Sequence, residues 1–289
     1  SKFKNIYKAT CGGMGLTGII VSIKLKLMKI NSSNINQIEK KFIYFDDLIN
    51  AFYENENNMY NVGWIDFLNT KNNKLNNVFL TAYHSDDLIF NKIQIKQLNI
   101  PFKKSLSMFL NDQNMKIFNK LYYYMGKNNR FSQINYNKYF YILDFIKDWN
   151  LFYGKRGLLQ FHFIIPDDSF VIKNFNKIFM KISKSKAKPY LSTFKRYSSS
   201  NENYLSFCQK GFGLALDFPN NYDSIKLIKY LEKMVIDFNG KVYLCKDSLM
   251  SKANFKKSYK KYANFKKILN EINSELKFKS MQSDRLGIT

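Results

Sequence analysis

The sequence of 289 residues has few of the side chains on which metal sites and disulfide frameworks depend. Its three cysteines, Cys11, Cys208 and Cys245, form no CxxC pair, and its two histidines are His84 and His162. This spacing makes a metal site unexpected, and an odd number of cysteines argues for a reducing compartment rather than a disulfide scaffold. No run of about 18 uncharged apolar residues occurs, so no membrane-spanning helix is predicted.

Acidic residues are also scarce: 22 Asp and Glu stand against 46 Lys and Arg, giving a net charge of +24. Neither a Ser-His-Asp order nor a pair of carboxylates stands out, so hydrolytic chemistry has little to use. The charge fits a negatively charged partner, such as nucleic acid, a membrane surface or a phosphorylated substrate. A preference for A/T-rich codons would raise the lysine content as well, and both explanations remain open.

What the sequence does have is enough apolar and aromatic residues, 45% and 17%, for a sizeable core. Short runs with alternating or continuous apolar residues predict strands, and two stretches with an apolar stripe predict helices. This order predicts an α+β fold, with a mixed or antiparallel sheet and helices on one face. The main predicted strands are 19–30, 61–69, 76–85, 158–166, 188–197, 211–219 and 241–248, and the helices begin near Ser169 and Ile225.

The stretch "CGGMGLTGII" places four glycines within eight residues near the start of the sequence. Glycine lets a backbone approach a phosphate or a ring, and it permits positive φ. Residues 13–18 match G-x-G-x-x-G, but that fingerprint needs a helix after it. The alternating run 19–30 predicts a half-buried strand instead. The stretch therefore indicates either an ordinary tight turn or a bend whose backbone lies along an extended cofactor.

Two further places have the residues for ligand chemistry. In "LLQFHFIIP" the period of two puts Gln160 and His162 on one face, whereas the alternate residues are apolar. That polar face must meet water or a ligand, because unpartnered polar groups are costly to bury. Lys246, at the end of "KVYLCKDS", is either one more surface lysine or a cation that stabilises an anion or a reduced cofactor.

Five stretches resemble, in order, the FAD-linked oxidases of the vanillyl-alcohol-oxidase (PCMH) type, in particular those that act on lipid-linked sugars. They are "ATCGGMGLTGII", "GWIDF", "LDFIKDWNLFYGKRGLLQFHFIIP", "LDFP" and "GKVYLCKDS". The resemblance implies the end of an FAD-binding domain at 1–30, a substrate-binding domain at 31–270 and a segment, 271–289, that returns to the flavin domain. The N-terminal half of the family's flavin domain has no counterpart here, so we interpret the sequence as a fragment.

The resemblance also implies roles for individual residues. Lys246 would stabilise the anionic reduced flavin, and Gln160 and His162 would complete the catalytic group, with His162 as a candidate base. The implied FAD contacts are Gly12, Gly13, Gly15, Thr17, Gly18, Ile20, Tyr243 and Lys246. The implied substrate contacts are Trp64, Phe140, Tyr141 and Lys195. The family's second pocket glutamine is His162 here, its pocket tyrosine is Phe140 and a pocket cysteine is Ala215.

The implied function is an FAD-dependent oxidoreductase that takes a hydride from a secondary alcohol of a sugar or a polyprenyl-phosphate sugar. A short-chain reductase partner, a cytoplasmic location and peripheral contact with the inner membrane are expected with it, and nucleic acid is not. Two alternatives remain. One is a sugar-lactone oxidase of the same superfamily. The other is a basic module that binds nucleic acid or another polyanion, with Trp64 and the tyrosines as stacking platforms.

Overall fold

The computed structural model describes residues 2–71, 74–91, 97–99, 110–141, 144, 146–148, 151 and 153–289. Part of the third stretch that carries the resemblance, namely residues 143, 145, 149–150 and 152, lies outside these ranges. Within the described ranges, no helix is long and apolar enough to cross a membrane.

Eight strands and nine helices are assigned within the described ranges. The strands are β1 (Asn34–Phe42), β2 (Tyr60–Lys71), β3 (Lys74–His84), β4 (Arg130–Asn135), β5 (Leu158–Pro166), β6 (Leu191–Tyr197), β7 (Gly211–Pro219) and β8 (Lys241–Val242). The helices are α1 (Lys2–Thr10), α2 (Phe45–Glu54), α3 (Asp112–Met125), α4 (Tyr136–Phe140), α5 (Val171–Lys184), α6 (Tyr222–Asp237), α7 (Lys252–Ser258), α8 (Tyr262–Ile272) and α9 (Met281–Leu286).

The strands form one sheet in the order β4-β1-β3-β2-β6-β7-β5-β8. All of its described pairings are antiparallel. Two halves meet where Gly63 of β2 pairs with Phe194 of β6. The buried hydroxyl of Ser192 reinforces this junction, because it accepts a hydrogen bond from the Ile65 N–H at 3.0 Å and donates to the carbonyl of the same residue.

The core lies between one face of the sheet and helices α2, α5 and α6. α5 presents the predicted apolar stripe, whose residues are all buried. Phenylalanine rings fill the centre of this layer, and Phe194 contacts four of them with centroids 5.2–5.4 Å apart. The predicted α+β fold, with helices against one face of an antiparallel sheet, is confirmed. α3 adds a helix on the opposite face, where Tyr122 packs edge-on against Trp64 at 4.9 Å.

Two predicted strands are wrong. Residues 18–30 have no strand pairing, and their large apolar side chains are exposed: Ile19, Ile20, Val21, Ile23, Leu25, Leu27 and Met28. The alternating pattern predicts a strand, but a strand also needs a neighbour, and none of the described residues supplies one. The strand predicted at 241–248 ends at Val242, because the chain then turns into a 3-10 helix at Leu244–Lys246.

Candidate active site

The glycine-rich stretch forms a compact bend directly after α1. A Cβ atom at Gly13 would lie 2.2 Å from the carbonyl oxygen of Ala9, so no other residue fits without a shift of the backbone. Gly12 and Gly15 have φ values of 81° and 74°, which side chains with a Cβ rarely adopt. We call residues 11–17 the glycine bend. Its glycines are therefore required by local geometry, independently of any ligand.

The glycine bend is held by residues near the end of the chain. Asn273 donates to the Leu16 carbonyl at 3.2 Å, and the Leu16 side chain is buried. The Gln282 side chain donates to the carbonyl of Leu244, the first residue of the 3-10 helix, at 2.7 Å. The segment 271–289 thus contacts the glycine bend through Asn273, whereas the predicted domains and their boundaries stay a prediction.

A cavity of about 340 Å³ opens between the glycine bend, β5, the loop 201–208 and the residues that follow β8. Two residues predicted to contact a flavin, Gly12 and Tyr243, line it, and so does His162. A hydrogen bond with Cys245 and burial raise the pKa of Tyr243 to about 12, which keeps its hydroxyl protonated. The further lining residues are Cys11, Met14, Tyr197, Asn201, Asn203, Leu205, Ser206, Phe207, Cys208, Leu244, Cys245 and Tyr259.

His162 is the polar group that points into this cavity from β5. Its ring contacts Phe207 and Tyr243, with centroids 4.9 and 5.5 Å away, and the Tyr197 hydroxyl lies 3.5 Å from Nε2. Nδ1 is buried and has no hydrogen-bond partner among the described residues. Burial, and then the charges of Lys246 and Lys195, lower the pKa of His162 to about 3. The imidazole is therefore neutral at pH 7, and its buried Nδ1 has unused hydrogen-bonding capacity.

Two lysines make the surroundings of His162 positive. Lys195 lies on β6, and Lys246 ends the 3-10 helix after β8. Burial and the charge of Lys246 lower the pKa of Lys195. Such mutual repulsion between cations is relieved when a negatively charged group binds between them. The two lysines therefore favour an anionic ligand or a group that becomes negative during a reaction.

Gln160 lies two residues before His162 and pairs with Asp217 on the neighbouring strand β7. Its exposed side chain donates to the carboxylate of Asp217 at 2.9 Å. Burial raises the pKa of Asp217, although the hydrogen bond from Gln160 and the charge of Lys246 act in the opposite direction. Gln160 does not line the cavity, so the structure places it at the edge of the site.

One face of the sheet unites these side chains. In antiparallel pairs, residues directly opposite each other project to the same face. Gln160 and His162 oppose Asp217 and Ala215, and Lys195 opposes Gly213. Gly63 and Phe194 face the core, so Trp64, the next residue, is on the face of the site. The polar face predicted for β5 is thus shared by β2, β6 and β7.

Other predicted contacts lie away from the cavity. Phe140 ends α4 and packs edge-on against Tyr60 at 4.9 Å, and Phe140 and Tyr141 are about half exposed. Thr17 donates to the Thr10 hydroxyl at 3.1 Å instead of facing the cavity. The glycine bend presents only part of its predicted contacts to the cavity, and Gly18 and Ile20 belong to the exposed segment. The predicted roles of these residues stay predictions.

Sequence reasoning missed that all three cysteines reach the same cavity. Cys11 comes from the glycine bend, Cys208 from the loop after β6 and Cys245 from the 3-10 helix. Cys245 approaches the Met14 sulfur at 3.8 Å. No local pattern could have shown this, because the three positions are far apart in the sequence and their meeting depends on tertiary structure.

Replacing His162 with glutamine should weaken the loss of stability in acid. The pKa of His162 is about 6.5 in an unfolded chain and about 3 in the folded one, so between these pH values only the unfolded chain takes up the proton. This uptake removes about 1.4 kcal/mol of unfolding free energy per pH unit as the pH falls below 6.5. Urea denaturation at pH 7 and pH 5 should show a smaller drop for His162→Gln. Equal drops would contradict a buried neutral imidazole.

Comparison with known proteins places this geometry in context. No family model matches the sequence. Decaprenylphosphoryl-beta-D-ribose oxidase from Mycolicibacterium smegmatis is 25% identical over 303 residues, which covers 98% of this chain and 64% of that protein. The structure of VAO-type flavoprotein MtVAO615 from Myceliophthora thermophila superposes with a TM-score of 0.56, at 12% identity, over 94% of this chain and 51% of the other. The chain has the fold of VAO-type flavoproteins.

A second solved structure supports the same fold. 6-Hydroxy-D-nicotine oxidase from Arthrobacter nicotinovorans has a TM-score of 0.56 and 10% identity, over 95% of this chain and 60% of that one. The resemblance to VAO-type proteins drawn from the sequence is therefore confirmed. The chain spans less than two thirds of the length of each of these relatives.

Proposed function

We propose that this chain is the substrate-binding part of an FAD-dependent oxidoreductase, acting on a secondary alcohol of a sugar or lipid-linked sugar. The observation that carries the proposal is the shared cavity, which the glycine bend, His162 and Tyr243 line and next to which Lys246 stands. The similarity to decaprenylphosphoryl-beta-D-ribose oxidase over 98% of the chain supports the choice of substrate class.

The residues around the cavity fit a flavin ring. The unpartnered Nδ1 of His162 needs a hydrogen-bond partner, and the polar edge of the ring supplies donors and acceptors. Gly12 lines the cavity without a side chain, so a ligand can approach its backbone closely. Aromatic and sulfur-containing side chains provide the apolar part of the lining. Lys246 provides a positive charge beside it.

A bound flavin would supply the acceptor for a hydride from the alcohol carbon. The protein's own residues would bind and orient the substrate and stabilise charge. The charge of Lys246 would favour negative charge in the site, and Lys195 would hold a phosphate of the substrate. Neutral His162 would orient the reacting hydroxyl by a hydrogen bond. Its low pKa makes it a weak base, which argues against the candidate role of His162 as the proton acceptor.

The exposed segment 18–30 supports a flavin domain that is completed by further polypeptide. About a third of the length of the curated relative has no match in this chain. An extended run with alternating apolar residues is suited to joining a sheet edge by main-chain hydrogen bonds. We propose that the unmatched part of the flavin domain pairs with residues 18–30 and encloses the cofactor from the other side.

A thermal-shift measurement tests the cofactor directly. FAD should raise the melting temperature of the protein, because a ligand that binds only the folded state stabilises it. Gly12→Val, which narrows the cavity, should reduce the shift, whereas Gly157→Val, directly before β5 and outside the cavity lining, serves as a matched glycine control with positive φ. A shift with single-stranded DNA but none with FAD would support the nucleic-acid module and contradict the oxidase.

The substrate class needs a separate measurement on the FAD-loaded protein. Anaerobic addition of a polyprenyl-phosphate sugar should bleach the visible flavin absorption, and a sugar lactone precursor should do so more slowly. The opposite order would favour the sugar-lactone oxidase. We also propose a short-chain reductase as a partner. Oxidation of the alcohol would give a keto-sugar, and a separate enzyme would be needed to reduce that ketone to an alcohol again.

A further inference from the structure

Helix α3 carries an apolar stripe that faces outward. Its members recur at positions 117, 118, 121, 124 and 125, which fall within about a third of the helix circumference at 3.6 residues per turn. Each of these side chains is 55–78% exposed. We call them the α3 apolar stripe; they are Ile117, Phe118, Leu121, Tyr124 and Met125.

The orientation of α3 is fixed by its opposite side, so the stripe does not result from a loosely attached helix. Asn119 is buried and donates to Asp66 at 3.1 Å and to the Tyr190 carbonyl at 3.3 Å. Tyr122 packs against Trp64. The helix also begins with a side-chain cap, in which Asn111 accepts from the Asn114 N–H at 3.0 Å. Rotating the stripe inward would break these contacts.

Basic residues outnumber acidic ones on α3 and in the residues that follow it. Between residues 111 and 138 the sequence has five basic residues and one acidic residue, Asp112. Lys116 and Lys120 project beside the stripe on the helix itself, and both are exposed. An apolar face bordered by lysines is the pattern of helices that lie in the interface of an anionic membrane. A second copy of this chain is a poor alternative occupant, because each copy carries a net charge of +24.

We infer that the α3 apolar stripe docks on the surface of an anionic lipid bilayer, with the apolar side chains among the acyl chains and Lys116 and Lys120 against the lipid phosphates. The helix lies on the same face of the sheet as Trp64, Lys195 and His162, so the bilayer would meet the site face. Docking itself does not depend on flavin chemistry. Docking would also bring the site close to a lipid-linked substrate in the bilayer, and this suggestion alone rests on the proposed function.

Sedimentation with vesicles tests the docking. The protein should bind vesicles of phosphatidylcholine with phosphatidylglycerol, and added salt should weaken this binding. Phe118→Ser with Leu121→Ser should lower the partition coefficient about tenfold or more, since both side chains leave the acyl region. The exposed segment 18–30 is the competing apolar surface, and Ile23→Ser with Leu25→Ser should lower binding by less than the α3 variant does.

A second double variant, with its own control, tests the two lysines beside the α3 apolar stripe. Lys116→Gln with Lys120→Gln should lower binding by about fivefold per lysine, whereas Lys226→Gln with Lys229→Gln on α6 should change it much less. The loss must occur without a change in the far-ultraviolet circular dichroism spectrum. Equal binding to pure phosphatidylcholine, or a loss caused by the segment 18–30 variant and not by the α3 variant, would overturn the inference. The flavin thermal shift is unaffected by either result.

Discussion

Replacing Lys246 with methionine is expected to lower the turnover of the FAD-loaded protein by about a hundredfold or more. Its charge is felt by His162, Lys195 and Asp217, so it is the cation that these site residues share. Loss of this charge should also raise the pKa of His162, although burial, the larger cause, would still hold it below the ordinary value. Steady-state kinetics gives the first result, and a nuclear magnetic resonance titration of the imidazole gives the second.

The control for charge is Lys257→Met. Lys257 forms an exposed ion pair with Asp237 at 3.0 Å, and its replacement by methionine removes the same single positive charge. It should leave both turnover and the titration of His162 unchanged. If Lys246→Met had normal activity and left the His162 titration where it was, the arrangement of the site described above would be wrong. If only the titration moved, the geometry would stand and the proposed reaction would not.

Replacing Phe194 with alanine should cost about 3–5 kcal/mol of unfolding free energy. Phe194 is fully buried at the junction of the two halves of the sheet, opposite Gly63. Its ring stacks on Phe212 at 5.4 Å and is met edge-on by other phenylalanines. Deleting the ring leaves a cavity that rigid neighbours cannot fill. Urea denaturation monitored by circular dichroism measures the loss.

Two companion variants make this measurement specific. Phe194→Leu keeps part of the volume and should cost clearly less than alanine. Tyr222→Ala removes an aromatic ring that is 77% exposed at the start of α6, and should change the unfolding free energy by less than about 0.5 kcal/mol. A cost for Phe194→Ala as small as that of Tyr222→Ala would show that the two halves of the sheet do not share one core.

The fold could be predicted where the apolar face indicated by the local sequence pattern is also the face that packs against the core. Strand β5 has the predicted bounds because its apolar face meets the core and its Gln160 and His162 face meets the site. α5 was predictable because its stripe is buried along its whole length. The pairing order could not be read in this way. It depends on contacts such as Gly63 with Phe194, which are 131 residues apart in sequence numbering.

The site was predictable mainly through resemblance. The structure brings His162 and Tyr243 together in the cavity, but nothing in the sequence showed that Cys11, Cys208 and Cys245 would join them. Lys246 was placed on a strand, because the apolar residues before it alternate. In the structure the carbonyls of Tyr243 and Leu244 accept hydrogen bonds from the Lys246 and Asp247 N–H groups, so a local 3-10 turn stands where a strand was expected.

The exposed apolar side chains of residues 19–28 make the isolated chain prone to aggregation. A contiguous β-prone stretch without proline can stack with identical stretches of other molecules into a cross-β fibril. Lys24 and Lys26, which alternate with its aliphatic side chains, oppose that stacking by like-charge repulsion. The shelf life of a concentrated sample therefore depends on two ammonium groups and on an ionic strength low enough to leave them unscreened.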